Sequence, residues 1–241
     1  RLWRMVLLNQ FHDILPGSSI AWVHRVAREE YAQILVELRG LSDAAIAALG
    51  GGEPAVLNAL DHEVRRVLAT GDGTLRMVAA PPLAVTPLAE ALREPSAPAT
   101  ARREGTSVVM ENSRVRAVIE PDGSIASVTD LVRGREVLLN GAGGARLRAF
   151  EDVPNAFDAW DIERHHLNPG NELPMPEAES MEIVTARGLR AEVRVTRVLG
   201  ASRLVQTIFL DADAPQLDFS LEADWQERET LLKMSFPLAV R

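Results

Sequence analysis

The sequence contains no cysteine among its 241 residues. This absence excludes disulfide bonds, thiolate metal ligands and a cysteine nucleophile. Any metal ion must therefore be held by imidazole or carboxylate groups. A chain without disulfides also fits a reducing compartment, and we expect a cytoplasmic protein.

Lysine is scarce as well, since Lys233 is the single lysine, and the formal net charge is −8. Such a chain does not offset phosphate repulsion, and no basic stripe with interleaved aromatic residues is present, so we expect no nucleic-acid partner. No apolar run approaches the ~20 residues that cross a bilayer, and no secretion signal opens the chain, so we expect no membrane partner. The composition, rich in Ala, Arg and Leu, resembles that of proteins from GC-rich bacterial genomes.

The first 50 residues have a helical pattern. A short helix is predicted over residues 2–9, followed by a Pro-Gly break. Apolar residues then recur at three- and four-residue spacing from Ile20 to Leu49, which predicts a bundle core along one helix, or along two helices kinked near Gly40. Ser18 or Ser19 is a suitable N-cap for this helix. Three glycines after Leu49 end the segment, so residues 1–50 are predicted to be a helical domain portion.

The remaining residues have the pattern of β-strands. Residues 51–100 are predicted to form a small β module followed by a linker. The linker is predicted because residues 88–106, which extend slightly beyond this range, lack periodicity. Residues 101–241 contain short strands at regular spacing, with turns such as Asp122-Gly123, which predicts an antiparallel β-sandwich. The expected fold class is α+β, a short helical-bundle segment followed by a predominantly antiparallel β region. Because the chain starts at Arg1 and stops after a strand-like run, we expect a longer polypeptide.

The polar segment between the two predicted helices is the first candidate site. His12 and Asp13 are adjacent there, and two helices meeting at this segment can present both side chains to a shared cleft. An imidazole is a metal ligand or an acid/base group, and a carboxylate is a ligand or a hydroxyl acceptor. The alternative is a helix end, where Asp13 and Ser18 satisfy backbone donors and His12 is a half-buried surface residue.

A long loop over residues 153–176 is the second candidate site, because long irregular loops in compact domains are often functional. Asp158, Trp160 and Asp161 can form a sugar platform, with the aromatic face stacked on a pyranose and the carboxylates accepting hydroxyls. The alternative is a buried tryptophan that anchors the loop, with aspartates capping turns. His165 and His166 are predicted to be solvated.

Several motifs resemble the glycoside hydrolase family 38 enzymes, the retaining α-mannosidases. The string NQFHDILPGSSI, residues 9–20, is similar to the segment that joins the family's catalytic and middle domains. The string FDAWDI, residues 157–162, resembles a signature of the large β domain. Residues 111–138 resemble the opening of that domain, and residues 224–237 resemble a later strand pair. The family often has Asn-Pro-Leu where this chain has Asn58-Ala59-Leu60, so the match is incomplete there.

This resemblance implies specific roles. His12 matches a zinc ligand of the family, and Asp13 matches a residue that contacts sugar hydroxyls. The implied fold is a β-sandwich of the galactose mutarotase-like, or supersandwich, type. The family's catalytic residues and remaining zinc ligands lie in an N-terminal domain, and no His-x-Asp motif that would match it occurs here. The expected cofactor is therefore Zn²⁺ in the complete enzyme, with no catalytic residue in this chain.

The implied partners are an α-mannoside substrate and the N-terminal catalytic domain of the same polypeptide. Association with a second copy is left open. The principal alternative is a non-catalytic carbohydrate-binding sandwich with a helical appendage, in which sugar binds at Trp160 or Trp225 and His12 is incidental. A third interpretation is a purely structural sandwich that supports an upstream domain.

Overall fold

The computed structural model describes residues 1–157 and 160–240. Two α-helices open the chain, α1 (Leu2–Asn9) and α2 (Ala21–Gly50). The second helix is continuous through Gly40 and ends where Gly51 adopts a left-handed conformation with φ of 67°. A residue without Cβ enters this region at little steric cost. Within the described residues, no helix is both long and apolar enough to cross a membrane.

The apolar stripe of α2 is only partly buried. Ala27 and Ile34 are buried, whereas other members of the predicted stripe are more than 40% exposed, namely Ile20, Leu38, Leu41 and Leu49. The prediction of a bundle core is therefore wrong for these four positions in this chain. The physical reason is that α1, with eight residues, is too short to cover a 30-residue helix.

Four short strands and a helical turn follow. They are β1 (Ala55–Asn58), β2 (Val64–Ala69), β3 (Leu75–Ala80), β4 (Ala84–Pro87) and α3 (Leu88–Ala91). Strand β1 pairs with β4 and β2 pairs with β3, both antiparallel. The β2–β3 hairpin closes at a turn formed by Gly71, Asp72 and Gly73. There Thr70 Oγ1 and the backbone N–H of Thr74 donate to Asp72, which lowers the pKa of its carboxyl to about 2.

The remaining strands are all antiparallel to their neighbours. In chain order they are β5 (Ala99–Glu104), β6 (Ser107–Glu111), β7 (Val115–Ile119), β8 (Ile125–Asp130), β9 (Arg135–Glu136), β10 (Arg146–Glu151), β11 (Glu172–Leu173), β12 (Ser180–Thr185), β13 (Arg187–Gly188), β14 (Arg190–Leu199), β15 (Ser202–Asp211), β16 (Asp218–Asp224) and β17 (Thr230–Ser235). They form sheets with the orders β13-β5-β6-β7-β8-β9, β12-β14-β15-β16 and β11-β10-β17. The predicted α+β class is confirmed.

The linker predicted over residues 88–106 is wrong in its second half. Strand β5 lies within it and pairs with β6, with Ala101 opposite Met110. Ala99 and Ala101 are almost fully buried, while Arg102 and Arg103 extend toward solvent. Small buried residues next to charged ones conceal the alternation that marks a strand, which explains the error.

The principal core lies between the six-stranded and the four-stranded sheets. Strands β6 and β7 contribute Val108, Met110 and Ile119, and the facing sheet contributes Val193 and Ile208. Each of these side chains is at most 1% exposed. Burying such a side chain stabilises a fold by roughly 1.5–3 kcal/mol, so this layer holds the sandwich together.

One carboxylate ties the small β module to the sandwich. Asp213, in the turn after β15, accepts hydrogen bonds from Arg65 on β2 at 3.2 Å, the backbone N–H of Ser96 at 2.8 Å and Ser113 Oγ at 2.9 Å. Its side chain is 9% exposed, and its φ is 59°. Burial opposes the charged form, but these hydrogen bonds outweigh it and lower the pKa of Asp213.

Replacement of Asp213 by asparagine is expected to lower the free energy of unfolding at pH 7 by about 2 kcal/mol, the scale of charge-assisted hydrogen bonds. Asparagine tolerates the positive φ, so the loss reports the charge rather than backbone strain. Because the folded-state pKa lies below the ordinary value of 3.8, this contribution is present above that pH and disappears as the pH falls through the folded-state value. Urea unfolding of both proteins between pH 7 and pH 2.5 measures this contribution. A difference in the free energy of unfolding that does not change with pH would contradict the prediction.

Candidate functional site

The first candidate site is the loop between α1 and α2. Asn9, the last residue of α1, is buried and donates through Nδ2 to Glu30 Oε2 on α2 at 2.6 Å. This bond fixes the junction of the two helices. The loop that leaves it carries His12 and Asp13, as the sequence predicts.

Local hydrogen bonds shape this loop. The backbone N–H groups of Ile14 and Leu15 donate to the carbonyl of Phe11 at 2.9 and 3.0 Å. Ser19 Oγ donates to the carbonyl of Asp13 at 2.5 Å, which closes the loop on itself. The predicted serine N-cap is therefore wrong: the residue before α2 is Ile20, and no side chain caps the helix. The hydroxyl of Ser19 is committed to the loop instead.

The imidazole of His12 projects from the loop. Its side chain is 71% exposed, and the ring lies 4.2 Å from the ring of Phe11, centroid to centroid. His12 Nε2 lies 3.6 Å from Asp13 Oδ2, which is beyond ordinary hydrogen-bonding distance. The ring nitrogens thus remain available to a ligand outside the described residues.

Asp13 has two different carboxylate oxygens. Oδ2 faces His12, while Oδ1 is buried and has no hydrogen-bond partner within the described part of the chain. Ser18 Oγ is likewise buried and has no hydrogen-bond partner within the described part of the chain. Buried polar atoms are normally paired. These two atoms therefore mark a local environment that is incomplete in this chain, and they contradict the interpretation in which Asp13 and Ser18 satisfy backbone donors.

The described residues do not form a complete metal site by themselves. Across residues 1–157 and 160–240, no group of three or more His, Asp or Glu side chains is placed to hold a metal ion. A catalytic zinc takes about three protein ligands and one open position. His12 and Asp13 offer the right donor atoms, a neutral imidazole nitrogen and carboxylate oxygens, but supply only part of that set.

The second candidate site lies in the loop after β10. Asp158 falls outside the described residues. Trp160 is 59% exposed and Asp161 is exposed as well, with their N–H groups directed to the carbonyl of Phe157 at 2.9 and 3.1 Å. The interpretation of Trp160 as a buried anchor is therefore wrong. No hydrogen bond or ion pair among the described residues joins this loop to His12 or Asp13.

His166 differs from the prediction of a solvated side chain, because it is only 7% exposed. Its ring makes an edge contact with Phe150, and Nδ1 lies 2.7 Å from the carbonyl of Glu163. Lys233 Nζ approaches Nε2 at 3.3 Å. Since a carbonyl only accepts and an ammonium only donates, this geometry requires a neutral ring with its proton on Nδ1. His166 therefore anchors the loop.

Two asparagines with structural roles were not identified from the sequence. Asn58 is buried, and its Nδ2 lies within 3.1 Å of three carbonyl oxygens, those of His62, Ala80 and Pro81. Asn112 is equally buried and makes four hydrogen bonds to backbone groups. Both asparagines lie within motifs that carry the family resemblance. The available signal was a polar residue at the end of a strand, since Asn58 is the last residue of β1 and Asn112 directly follows β6.

Comparison with known proteins gives consistent matches along the chain. The model described as "Glycosyl hydrolases family 38 C-terminal domain" matches residues 110–241, and that described as "Alpha mannosidase middle domain" matches residues 1–49. Alpha-mannosidase 2C1 of Mus musculus is 33% identical over 255 residues, and its Homo sapiens counterpart is 32% identical. Alpha-mannosidase G of Dictyostelium discoideum is 26% identical over 307 residues.

Each of these alignments covers 100% of the chain but only 24–28% of the relative, so the chain spans about a quarter of their length. All three relatives are eukaryotic, and the bacterial origin suggested by composition receives no support from them. The C-terminal domain model alone covers more than half of the 241 residues. The chain therefore belongs to glycosyl hydrolase family 38 and includes portions of its middle and C-terminal domains.

Proposed function

We propose that the chain is part of a zinc-dependent α-mannosidase that removes terminal α-D-mannosyl residues with retention of configuration. The observation that supports this function best is the exposed imidazole of His12 beside Asp13 at the α1–α2 junction. The His12 side chain is 71% exposed, and its ring nitrogens make no hydrogen bond within ordinary distance to the described residues. The chain also matches a family of glycosyl hydrolases. A buried ring sealed by aliphatic neighbours would have excluded the role.

The donor atoms of the junction fit a zinc site. His12 supplies an imidazole nitrogen, and Asp13 offers hard carboxylate oxygen atoms next to it, of which Oδ1 has no hydrogen-bond partner within the described residues. When bound, zinc supplies a Lewis acid that polarises sugar hydroxyl oxygens. In this proposal His12 holds the ion, and Asp13 accepts a charge-assisted hydrogen bond from a hydroxyl group of mannose.

Retaining hydrolysis also needs a carboxylate nucleophile and a carboxylic acid about 5 Å apart. We assign neither group to this chain. They belong to the partner that the proposal requires, the N-terminal catalytic domain of the same polypeptide. Exposed apolar side chains on α1 and the loop support a contact with further polypeptide there, because Trp3, Leu7, Leu8 and Phe11 are each at least half exposed. A cytoplasmic location and the galactose mutarotase-like sandwich stay predictions.

A second candidate function is carbohydrate binding without catalysis. The observation that favours it is the 59% exposure of Trp160, which leaves an aromatic face free to stack on a sugar. In this case Asp161 accepts sugar hydroxyls, and the His12 region has no direct role. Asp158 remains a predicted contributor on sequence alone.

Removal of the metal tests the first function. The longer enzyme that contains this chain is treated with a zinc chelator, and hydrolysis of 4-nitrophenyl α-D-mannopyranoside is measured before and after zinc is returned. We expect activity to fall to background and to recover with zinc, because the ion orients the substrate hydroxyls. Full activity in protein shown by mass spectrometry to be metal-free would contradict the zinc-dependent mechanism.

A further inference from the structure

A polar cleft of 600 Å³ opens on the sandwich, and its lining includes none of His12, Asp13, Trp160 and Asp161. It lies where the β7–β8 turn and the segment after β11 meet strands β10 and β14. Its polar lining comes from six side chains, those of Asp122, Ser124, Arg146, Glu172, Glu177 and Arg197.

Arg197, on β14, is the unusual member of this lining. It is only 5% exposed, although arginine is almost never buried without a partner. Its Nη2 donates to the backbone carbonyl of Asp122. Its Nε has no hydrogen-bond partner within residues 1–157 and 160–240, and no described carboxylate lies within 4.0 Å of the guanidinium.

Two of the three carboxylates that line the cleft accept hydrogen bonds from other residues. Asp122 Oδ1 accepts from the N–H of Ser124 at 2.9 Å and from its hydroxyl at 2.6 Å. Glu172 accepts two hydrogen bonds from Arg148, at 2.8 and 2.6 Å. Burial lowers the pKa of the Arg197 guanidinium, and the nearby charge of Asp122 only partly opposes this effect. The protein's own carboxylates therefore compensate this buried cation only in part.

The position of Arg197 is fixed by its neighbours. Gly123, with φ of 76°, lets the β7–β8 turn pack on β14 and β15, because a Cβ there would lie 3.1 Å from Val195 Cγ1. Gln206 Nε2 donates to the carbonyl of Gly123 at 3.3 Å. The guanidinium is thus held in place before any ligand arrives, which reduces the entropy lost on binding.

We propose that this cleft binds a small, singly charged oxyanion, a carboxylate group above all, between Arg197 and Arg146. Arg146 is exposed at the mouth and makes no salt bridge among the described residues, so it supplies a second cation. A planar guanidinium matches the two oxygens of a carboxylate. Glu177 at the rim and the nearby Asp122 disfavour a multiply charged anion.

The test is a titration of the 241-residue chain with sodium acetate and, separately, inorganic phosphate, with chloride keeping the ionic strength constant. The Nε–H resonance of Arg197 is followed by ¹H–¹⁵N NMR, because a buried Nε–H exchanges slowly with water. We expect a saturable shift with acetate, and weaker binding of phosphate near neutral pH, where a large fraction is doubly charged.

Two substitutions complete this test. Arg146→Gln lies at the exposed rim and is expected to weaken acetate binding about tenfold, the scale of one charge-assisted hydrogen bond. Arg194→Gln is the control on β14, the strand that carries Arg197, since the Arg194 side chain is 44% exposed and pairs with Glu192, and it is expected to leave binding unchanged. A linear, non-saturating shift, or equal shifts at Arg194 and Arg197, would show that the cleft holds only water and would overturn the proposal.

Discussion

Replacement of His12 by alanine is expected to reduce kcat/KM for an α-mannoside by at least about 100-fold in the enzyme that contains this chain. Loss of a partner that merely orients a metal ligand already costs 10–100-fold, and His12 is proposed to bind the ion itself. Steady-state kinetics with 4-nitrophenyl α-D-mannopyranoside measure the change. Zinc content, determined in parallel, is expected to fall with the activity.

The chain offers a closely matched control for this substitution. His62 also stands beside an aspartate, with Nδ1 3.0 Å from Asp61 Oδ1, and its side chain is 67% exposed. His62→Ala is therefore expected to leave activity and zinc content unchanged. Trp160→Ala separates the two candidate functions, because the mannosidase proposal predicts retained hydrolysis. Normal hydrolytic activity in the His12 variant would favour the carbohydrate-binding alternative. Loss of hydrolytic activity in the Trp160 variant alone would favour it as well.

Asn112→Ala is expected to lower the free energy of unfolding by about 3 kcal/mol. The buried amide donates to the carbonyls of Asp211 at 2.7 Å and Ala214 at 2.9 Å, and it accepts from the N–H groups of Arg114 and Val115, both at 2.8 Å. Alanine leaves these groups without their partner, and each unsatisfied buried group costs about 1–3 kcal/mol. Urea denaturation followed by circular dichroism measures the difference.

The control for this prediction is Asn140→Ala, because Asn140 is exposed and surface substitutions usually change stability by less than about 0.5 kcal/mol. A second variant, Asn112→Asp, keeps the acceptor for the two N–H groups but removes both donors. It is expected to be destabilised as well, because a carboxylate then faces two carbonyl oxygens. Stability equal to that of the parent in both Asn112 variants would show that the hydrogen bonds are dispensable.

Strands with regular alternation could be predicted from the sequence, whereas strands defined by their neighbours could not. Strand β7 alternates buried and half-buried residues along its whole length, which is the kind of pattern that predicts short strands within residues 101–241. The two-residue strands β11 and β13 have no period that a sequence can reveal, because each depends on pairing with a distant strand. The charged end of β5 concealed that strand for the reason given above.

Adjacency in the sequence was enough to place His12 beside Asp13, but solvent exposure was not predictable. The ring of His12 extends outward because eight residues of α1 leave the junction uncovered. His166 is buried because its ring packs against Phe150, which lies 16 positions earlier in the sequence. Arg197 was missed because the sequence around it reads as an ordinary alternating strand, and its burial depends on the β7–β8 turn that covers it.

The hydrogen bond between Arg65 and Asp213 joins residues 148 positions apart. Closing so long a loop costs conformational entropy before any contact compensates for it. During translation the β2–β3 hairpin leaves the ribosome well before its anchor has been synthesised. At about 5–20 residues added per second, the hairpin waits for roughly 7–30 seconds. The early part of this β region therefore completes its folding only after the late part has emerged.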